Sequence, residues 1–112
     1  MDTKELDKAK AHNTTGIIEY LKNSVVIKTI LKKPTGNISI FSFDNGEGLA
    51  ERTTPFDTFI QIIEGSAEIV INGYSNFLLA GQSIVIPAHE PNLIKPTGRF
   101  KMIQTVIKSA YE

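Results

Sequence analysis

Apolar and polar residues alternate with a period of two along most of the chain from residue 24 onward. In the first such stretch Val25, Ile27 and Leu31 fall on one face, while Val26 and Ile30 fall on the other. A strand that is apolar on both faces is typical of one that is covered on both sides. We therefore expect the rest of the domain to cover one face and a second subunit to cover the other, which predicts a homodimer.

Turn residues divide the remaining alternation into short stretches. Pro34 to Asn37 form a turn signal, and Asn72–Gly73 is the dipeptide most typical of a tight hairpin. The later predicted strands are residues 38–43, 49–54, 58–64, 67–71, 74–79, 83–86, 92–95 and 100–107. Nine or ten short strands at regular spacing predict one all-β domain, an antiparallel sandwich or barrel.

The N-terminal 23 residues follow another pattern. Residues 1–12 are rich in charge and contain one large aliphatic residue, Leu6, so they predict a short helix or a loose tail. Thr14 or Thr15 is expected to cap a brief turn that follows. The chain thus divides into a partly helical N-terminal extension, 1–23, and a barrel, 24–112.

Composition excludes several classes of function. Twelve basic and twelve acidic residues give a formal net charge of zero, which provides no electrostatic basis for binding nucleic acid or an anionic membrane. Cysteine is absent, which excludes disulfides and thiolate chemistry and suits a reducing cytoplasm. No apolar run approaches the roughly 20 residues of a membrane span, and the polar N-terminus is no secretory signal. We expect a cytoplasmic protein.

Two blocks with glycine and proline at fixed positions carry a family resemblance. They read GLAERTTPFDTFIQIIEG at residues 48–65 and GQSIVIPAHEPNLIKP at residues 81–96. Here the sequence resembles the small single-domain cupins, whose motifs are G-x5-H-x-H-x3,4-E-x6-G and G-x5-P-x-G-x2-H-x3-N. The resemblance covers roughly residues 24–107 and implies an RmlC-like double-stranded β-helix, or jelly-roll barrel.

The resemblance also locates the metal-ligand positions of that family. Metal-bearing cupins hold a divalent ion with three histidines and a glutamate, and the matching positions here are Arg52, Thr54, Thr58 and Asn92. Arginine has no lone pair and a permanent positive charge, threonine hydroxyls are weak ligands, and asparagine offers one amide oxygen. We therefore expect no metal and no other cofactor at this site.

The same four positions are candidates for binding an organic ligand. Arg52 could bind a carboxylate or phosphate in a bidentate manner, or it could pair with Asp57 or Glu51. Asn92 could hold a polar ligand, or it could satisfy Arg52 and Thr54 in a buried network.

Other candidates lie near these positions. Asp57 is one residue from the acid position and is included among the ligand-binding candidates. His89 beside Glu90 could act as a general acid or base, although a turn glycine occupies its position in the family, which favours an idle loop residue. Met102 and Gln104 are expected near the cavity.

Three functions remain open from the sequence. The first is a metal-free binding or sensing domain for a small polar or anionic molecule. The second is a cupin enzyme of the isomerase, dioxygenase or decarboxylase-like kind, with a displaced metal site formed by His89 with Asp57 or Glu90. The third is a non-catalytic structural or interaction protein whose barrel is filled by side chains.

Overall fold

The computed structural model describes residues 5–108, and these form a barrel of two antiparallel sheets. A 3-10 helix, Thr14–Gly16, precedes the strands β1 (Val25–Lys33), β2 (Gly36–Phe43), β3 (Leu49–Arg52), β4 (Asp57–Glu64), β5 (Ser66–Ile71), β6 (Tyr74–Leu79), β7 (Ser83–Ile86), β8 (Asn92–Ile94) and β9 (Phe100–Ile107). The five-stranded sheet has the order β1-β2-β9-β4-β7 and the four-stranded sheet the order β3-β8-β5-β6. The predicted all-β jelly-roll barrel is confirmed.

Strand boundaries agree with the alternation to within about two residues. β6, β7 and β9 have the predicted bounds, whereas β2 begins two residues early, at Gly36. β3 ends at Arg52 instead of Thr54 because the chain turns there: the Thr54 hydroxyl donates to the Phe56 carbonyl (3.0 Å) and accepts from the Phe56 N–H (3.3 Å). No helix within residues 5–108 is long and apolar enough to cross a membrane.

The N-terminal extension differs from its prediction. Residues 5–12 form no helix, and residues 1–4 lie outside the described part of the chain. The segment is tied to β1, because Leu6 N–H donates to the Ile30 carbonyl (3.3 Å) and Lys32 N–H donates to Glu5 Oε1 (3.1 Å). A brief 3-10 turn is present, but the residue before it is Asn13, which makes no side-chain cap. The predicted threonine cap is therefore wrong.

Residues 15–19 pack on the outer face of the five-stranded sheet. Ile18 is fully buried there. Side chains of the sheet donate to carbonyl groups of this segment: Lys101 Nζ to Thr15 (2.6 Å), Ser42 Oγ to Glu19 (2.8 Å) and Lys28 Nζ to Ile17 (3.0 Å). The chain itself thus reaches the outer face of β1, where a second subunit was expected. The outer face of β1 therefore no longer supports a homodimer, which stays a prediction.

Tyr20 continues the attachment of this segment. Its hydroxyl donates to Glu64 Oε2 (2.5 Å), and burial together with Glu64 holds the pKa of Tyr20 well above its usual range. The Arg99 guanidinium carbon and Lys101 Nζ each lie 5.0 Å from the centroid of the Tyr20 ring. Cation–π contacts and a phenol–carboxylate hydrogen bond therefore hold the extension where β4 ends and β9 begins.

Asp44 is expected to make the stability of the fold depend on pH in the acid range. Its carboxylate accepts from Asn23 N–H (2.7 Å) and Arg99 Nε (2.7 Å), and the hydrogen bonds from Asn23, Arg99 and the Asn45 backbone lower its pKa to about 2. An unfolded aspartate titrates at about 3.9. The stability from Asp44 is therefore complete above pH 4 and is lost as the pH falls towards 2.

We expect Asp44→Asn to remove this acid dependence. Urea midpoints measured from pH 6 to pH 2 should fall more for the wild type than for the variant, with the extra fall between about pH 4 and 2. Arg99→Gln removes one of the hydrogen bonds and should give an intermediate profile. Parallel profiles for the wild type and Asp44→Asn would contradict this role.

The inward-facing side chains change character along the barrel. At one end Phe43 and Phe100 are fully buried and stack with ring centroids 4.2 Å apart. Further along, the register places Met102 beside Ile62, Gln104 beside Ile60, and Val106 beside Thr58. One end of the barrel is therefore filled by apolar side chains, and polar residues appear towards the other end.

Candidate functional site

A cavity of about 80 Å³ lies at the polar end of the barrel. Its polar lining consists of Arg52, Thr54, Thr58, Asn92 and Gln104, and its apolar wall of Phe56, Ile86 and Val106. The structure thus brings together all four positions that match the metal ligands of the family. Gln104 was expected near the cavity and lies there, whereas Met102 is fully buried in the apolar core.

The two sheets supply opposite walls of this cavity. Arg52 on β3 and Asn92 on β8 are paired residues of the four-stranded sheet. Gln104 lies on β9 of the five-stranded sheet, and Arg52 Nη2 donates to Gln104 Oε1 (3.0 Å) across the interior. Arginine has only donors, so this bond fixes which end of the Gln104 amide faces the guanidinium.

The Arg52 guanidinium has no counter-charge among residues 5–108. The alternative ion pair with Asp57 or Glu51 is not formed, and the hydrogen-bond partner of Arg52 is the neutral Gln104. Burial lowers the pKa of Arg52, although arginine remains protonated in proteins. A partly desolvated cation without an anion is energetically unfavourable.

Asn92 lines the cavity and carries an unpaired acceptor that is closed off from water. It is 5% exposed, and its Nδ2 donates to the Arg52 carbonyl (3.3 Å) and the Glu90 carbonyl (3.2 Å). These bonds use both amide protons, and turning the amide over would place its oxygen against two carbonyl oxygens. Asn92 Oδ1 is therefore held as a buried acceptor, without a hydrogen-bond partner among the described residues. The alternative in which Asn92 satisfies Arg52 and Thr54 is met in part, because Asn92 donates to the main-chain carbonyl of Arg52 but its other amide proton goes to Glu90 instead of Thr54.

The two threonines contribute differently. The Thr54 hydroxyl is used in the local turn with Phe56, so its proton is not available to a ligand. Thr58 on β4 is almost fully buried and lines the cavity. A threonine hydroxyl can donate or accept, which makes Thr58 the more adaptable of the two.

Asp57 and His89 lie outside the cavity lining. Asp57 Oδ1 accepts from Ala88 N–H (2.8 Å), and the exposed His89 donates its backbone N–H to the Thr54 carbonyl (2.7 Å). His89 has a φ of 69°, in the left-handed region that suits the glycine found at this position in the family. Both residues therefore stabilise the loop at the rim of the cavity.

Phe56, Ile86 and Val106 were missed as site residues. Val106 shares the inward face of β9 with Gln104, so the period-two pattern could have placed it in the lining. Phe56 lies in the turn between β3 and β4, where no periodicity applies. The Thr54 hydrogen bonds that position it are visible only in the folded chain.

These residues do not fit the metal of the family. Arg52 is cationic, Thr54 is bonded to Phe56, and Asn92 offers a single neutral oxygen. Within residues 5–108 no three side chains of His, Cys, Asp or Glu lie together so that they could hold an ion. His89, Asp57 and Glu90 therefore form no such group of three, and the absence of a resident metal stays a prediction.

The fold is similar to solved structures of cupins. A cupin superfamily protein from Desulfitobacterium hafniense has 28% identity, with a TM-score of 0.87, over 97% of this chain and all of its own. A conserved protein of unknown function from Streptococcus pyogenes has 26% identity and a TM-score of 0.88, over 96% of this chain and 94% of its own.

A longer protein contains the same unit. The cupin 2 conserved barrel domain protein from Leptotrichia buccalis has 28% identity and a TM-score of 0.83, over 87% of this chain but 47% of its own. No family model matches the sequence, and no curated protein matches it significantly. The nine strands of residues 5–108, the cavity at the expected motif positions and these neighbours show that the chain has the cupin barrel fold.

Proposed function

We propose that this cupin is a metal-free binding or sensing domain that holds a small anion in the cavity at the polar end of its barrel. The observation that carries the proposal is the Arg52 guanidinium, which lines the cavity and has only a neutral partner among the described residues. An anion there would supply the missing counter-charge and would accept from the N–H groups that Gln104 leaves free.

The volume of the cavity limits the ligand. Sites for drug-sized molecules enclose about 300–1,000 Å³, whereas this cavity has about 80 Å³. It suits an anion of a few non-hydrogen atoms, such as a short carboxylic acid. The apolar wall of Phe56, Ile86 and Val106 would contact the carbon atoms of such an acid.

The Arg52–Gln104 hydrogen bond also favours a second function, a structural protein with a filled barrel. In that case the bond would serve to join the two sheets across the interior. The partly buried charge of Arg52 argues against it, because a neutral Gln104 partner leaves that charge uncompensated. We therefore place ligand binding first.

Arg52→Gln separates these two functions. If Arg52 binds an anion, the variant should bind acetate or propionate at least about 10-fold more weakly by isothermal titration, since a charge-assisted hydrogen bond is lost. Its free energy of unfolding without ligand should be unchanged or higher, because an uncompensated charge is removed.

Arg52→Lys is the matched control. It keeps the charge but not the planar fork of donors, so its affinity should lie between the wild type and Arg52→Gln. A wild-type protein that binds neither acid, together with a marked loss of stability in Arg52→Gln, would favour the filled structural barrel and overturn the proposal.

A further inference from the structure

We infer that Gln104 is the specificity-determining residue of this cavity. Its neutral amide oxygen holds the Arg52 guanidinium inside the barrel without cancelling its charge, and this selects an anion over a neutral molecule of the same shape. The inference rests on the proposed function and names the residue that determines the charge of the ligand. Its basis is the hydrogen bond from Arg52 Nη2 to Gln104 Oε1 (3.0 Å), which joins the two sheets.

Gln104 lies on the better supported side of this bond. β9 is the central strand of the five-stranded sheet, and Gln104 pairs with Ser39 on β2 and with the fully buried Ile60 on β4. Arg52, by contrast, is the last residue of β3, a short strand at the edge of the other sheet. Gln104 is therefore the fixed partner of the pair, and the position of the guanidinium depends on it.

An arginine at the end of an edge strand could also point away from the interior. Its long side chain can extend along apolar neighbours and place the guanidinium in water. The bond to Gln104 directs Arg52 to the cavity instead. Because ordering a long side chain costs conformational entropy, a ligand that meets an arginine already held in place binds more tightly.

The amide of Gln104 also determines the charge of the cavity. Of the described residues that line it, Arg52 alone is charged. A glutamate has the length and shape of a glutamine, but its carboxylate would form a charge-assisted pair with the guanidinium and supply its counter-charge. The amide oxygen accepts a hydrogen bond and carries no charge. With glutamine at position 104, the cavity therefore keeps its positive charge for a ligand.

Propionate and propionamide test this inference on the full chain. They have the same number of non-hydrogen atoms and nearly the same shape, but only propionate is charged at pH 7. Isothermal titration should show that the wild type binds propionate at least about 10-fold more tightly, because only the anion forms an ion pair with Arg52. In Gln104→Glu, which changes the charge and keeps the shape, this preference should disappear.

Gln104→Met is the matched control. It keeps an unbranched side chain of similar length and removes the bond to Arg52 without adding a counter-charge. Both affinities should fall, because the guanidinium is no longer held in place, but the preference for propionate should remain. A merely structural role of Gln104 would leave the ratio of the two affinities unchanged in both variants.

The outcomes distinguish the inference from the proposed function. A wild type that binds neither molecule, or both equally, would overturn the two together. A preference for propionate that survives in Gln104→Glu would overturn the role of Gln104 and leave an anion-binding cavity. Loss of the preference in Gln104→Met as well would have the same consequence, because the hydrogen bond and not the charge would then determine selectivity.

The stability of Gln104→Glu provides a second measurement. Its thermal unfolding midpoint at pH 7 should be higher than that of the wild type, since a counter-charge is placed beside a partly buried cation that lacks one. A variant that unfolds at a lower temperature, or does not fold, would contradict the inference, because it would show that a carboxylate at position 104 does not pair with Arg52.

Discussion

Phe43→Ala is expected to lower the free energy of unfolding by about 3–5 kcal/mol, because it removes a fully buried ring from the apolar end of the barrel. Phe43 stacks on Phe100 with an interplanar angle of 8° and also lies 6.0 Å, centroid to centroid, from Phe41. An alanine would leave a void between the two sheets, since neighbours on antiparallel strands relax only in part.

Phe77→Ala is the matched control for this prediction. Phe77 on β6 is 75% exposed, so the same change of side chain should alter the free energy of unfolding by no more than about 0.5 kcal/mol. Urea denaturation of both variants measures the difference, and the slope of the transition checks that the unfolded surface is comparable. Similar losses in the two variants would show that the Phe43–Phe100 stack is not the centre of the core.

Phe43→Ala also separates the effect on stability from the effect on ligand binding. Phe100, the ladder partner of Phe43, lies four residues before Gln104 on β9, a separation of about 13 Å along a strand. The cavity and the aromatic stack therefore occupy different parts of the interior. At a temperature where Phe43→Ala is folded, its affinity for a small acid should equal that of the wild type.

The strands could be predicted because their signals are local. Asn72 and Gly73 both have positive φ, 49° and 83°, as the two-residue hairpin predicted from this dipeptide requires. Period-two alternation indicates which residues of a strand face inward. The motif resemblance located Arg52, Thr54, Thr58 and Asn92, and these positions do line one cavity. The hairpin and the alternation depend on residues that are neighbours in sequence, whereas the motif frame joins Arg52 and Asn92 on different strands.

The chemistry of the site could not be predicted in the same way. Arg52 bonds to Gln104, which is 52 residues away on the other sheet, and this partner replaced the nearby acids that the sequence suggested. The free acceptor of Asn92 depends on two main-chain carbonyls whose positions only the folded loop defines. The attachment of the N-terminal extension has the same origin, since Lys101 reaches the Thr15 carbonyl across 86 residues.

The glycines of the motifs show a related limit of sequence reasoning. Gly65 ends the first motif and Gly81 begins the second, and both have positive φ, 76° and 93°. The motif pattern alone does not distinguish the two positions. In the structure a Cβ on Gly65 would overlap the carbonyl oxygen of Arg99, whereas a Cβ on Gly81 would meet nothing within 4 Å.

Gly65→Ala should therefore destabilise the barrel by about 3 kcal/mol or more, because left-handed strain adds to a clash with backbone that cannot rotate away. Gly81→Ala carries the strain alone and should cost about 1–2 kcal/mol. Thermal and urea unfolding of the two variants compare these values. Equal losses in the two variants would mean that the backbone at Arg99 moves away from the added methyl group. The close contact between the β4–β5 turn and Arg99 would then not be the reason that Gly65 must be glycine.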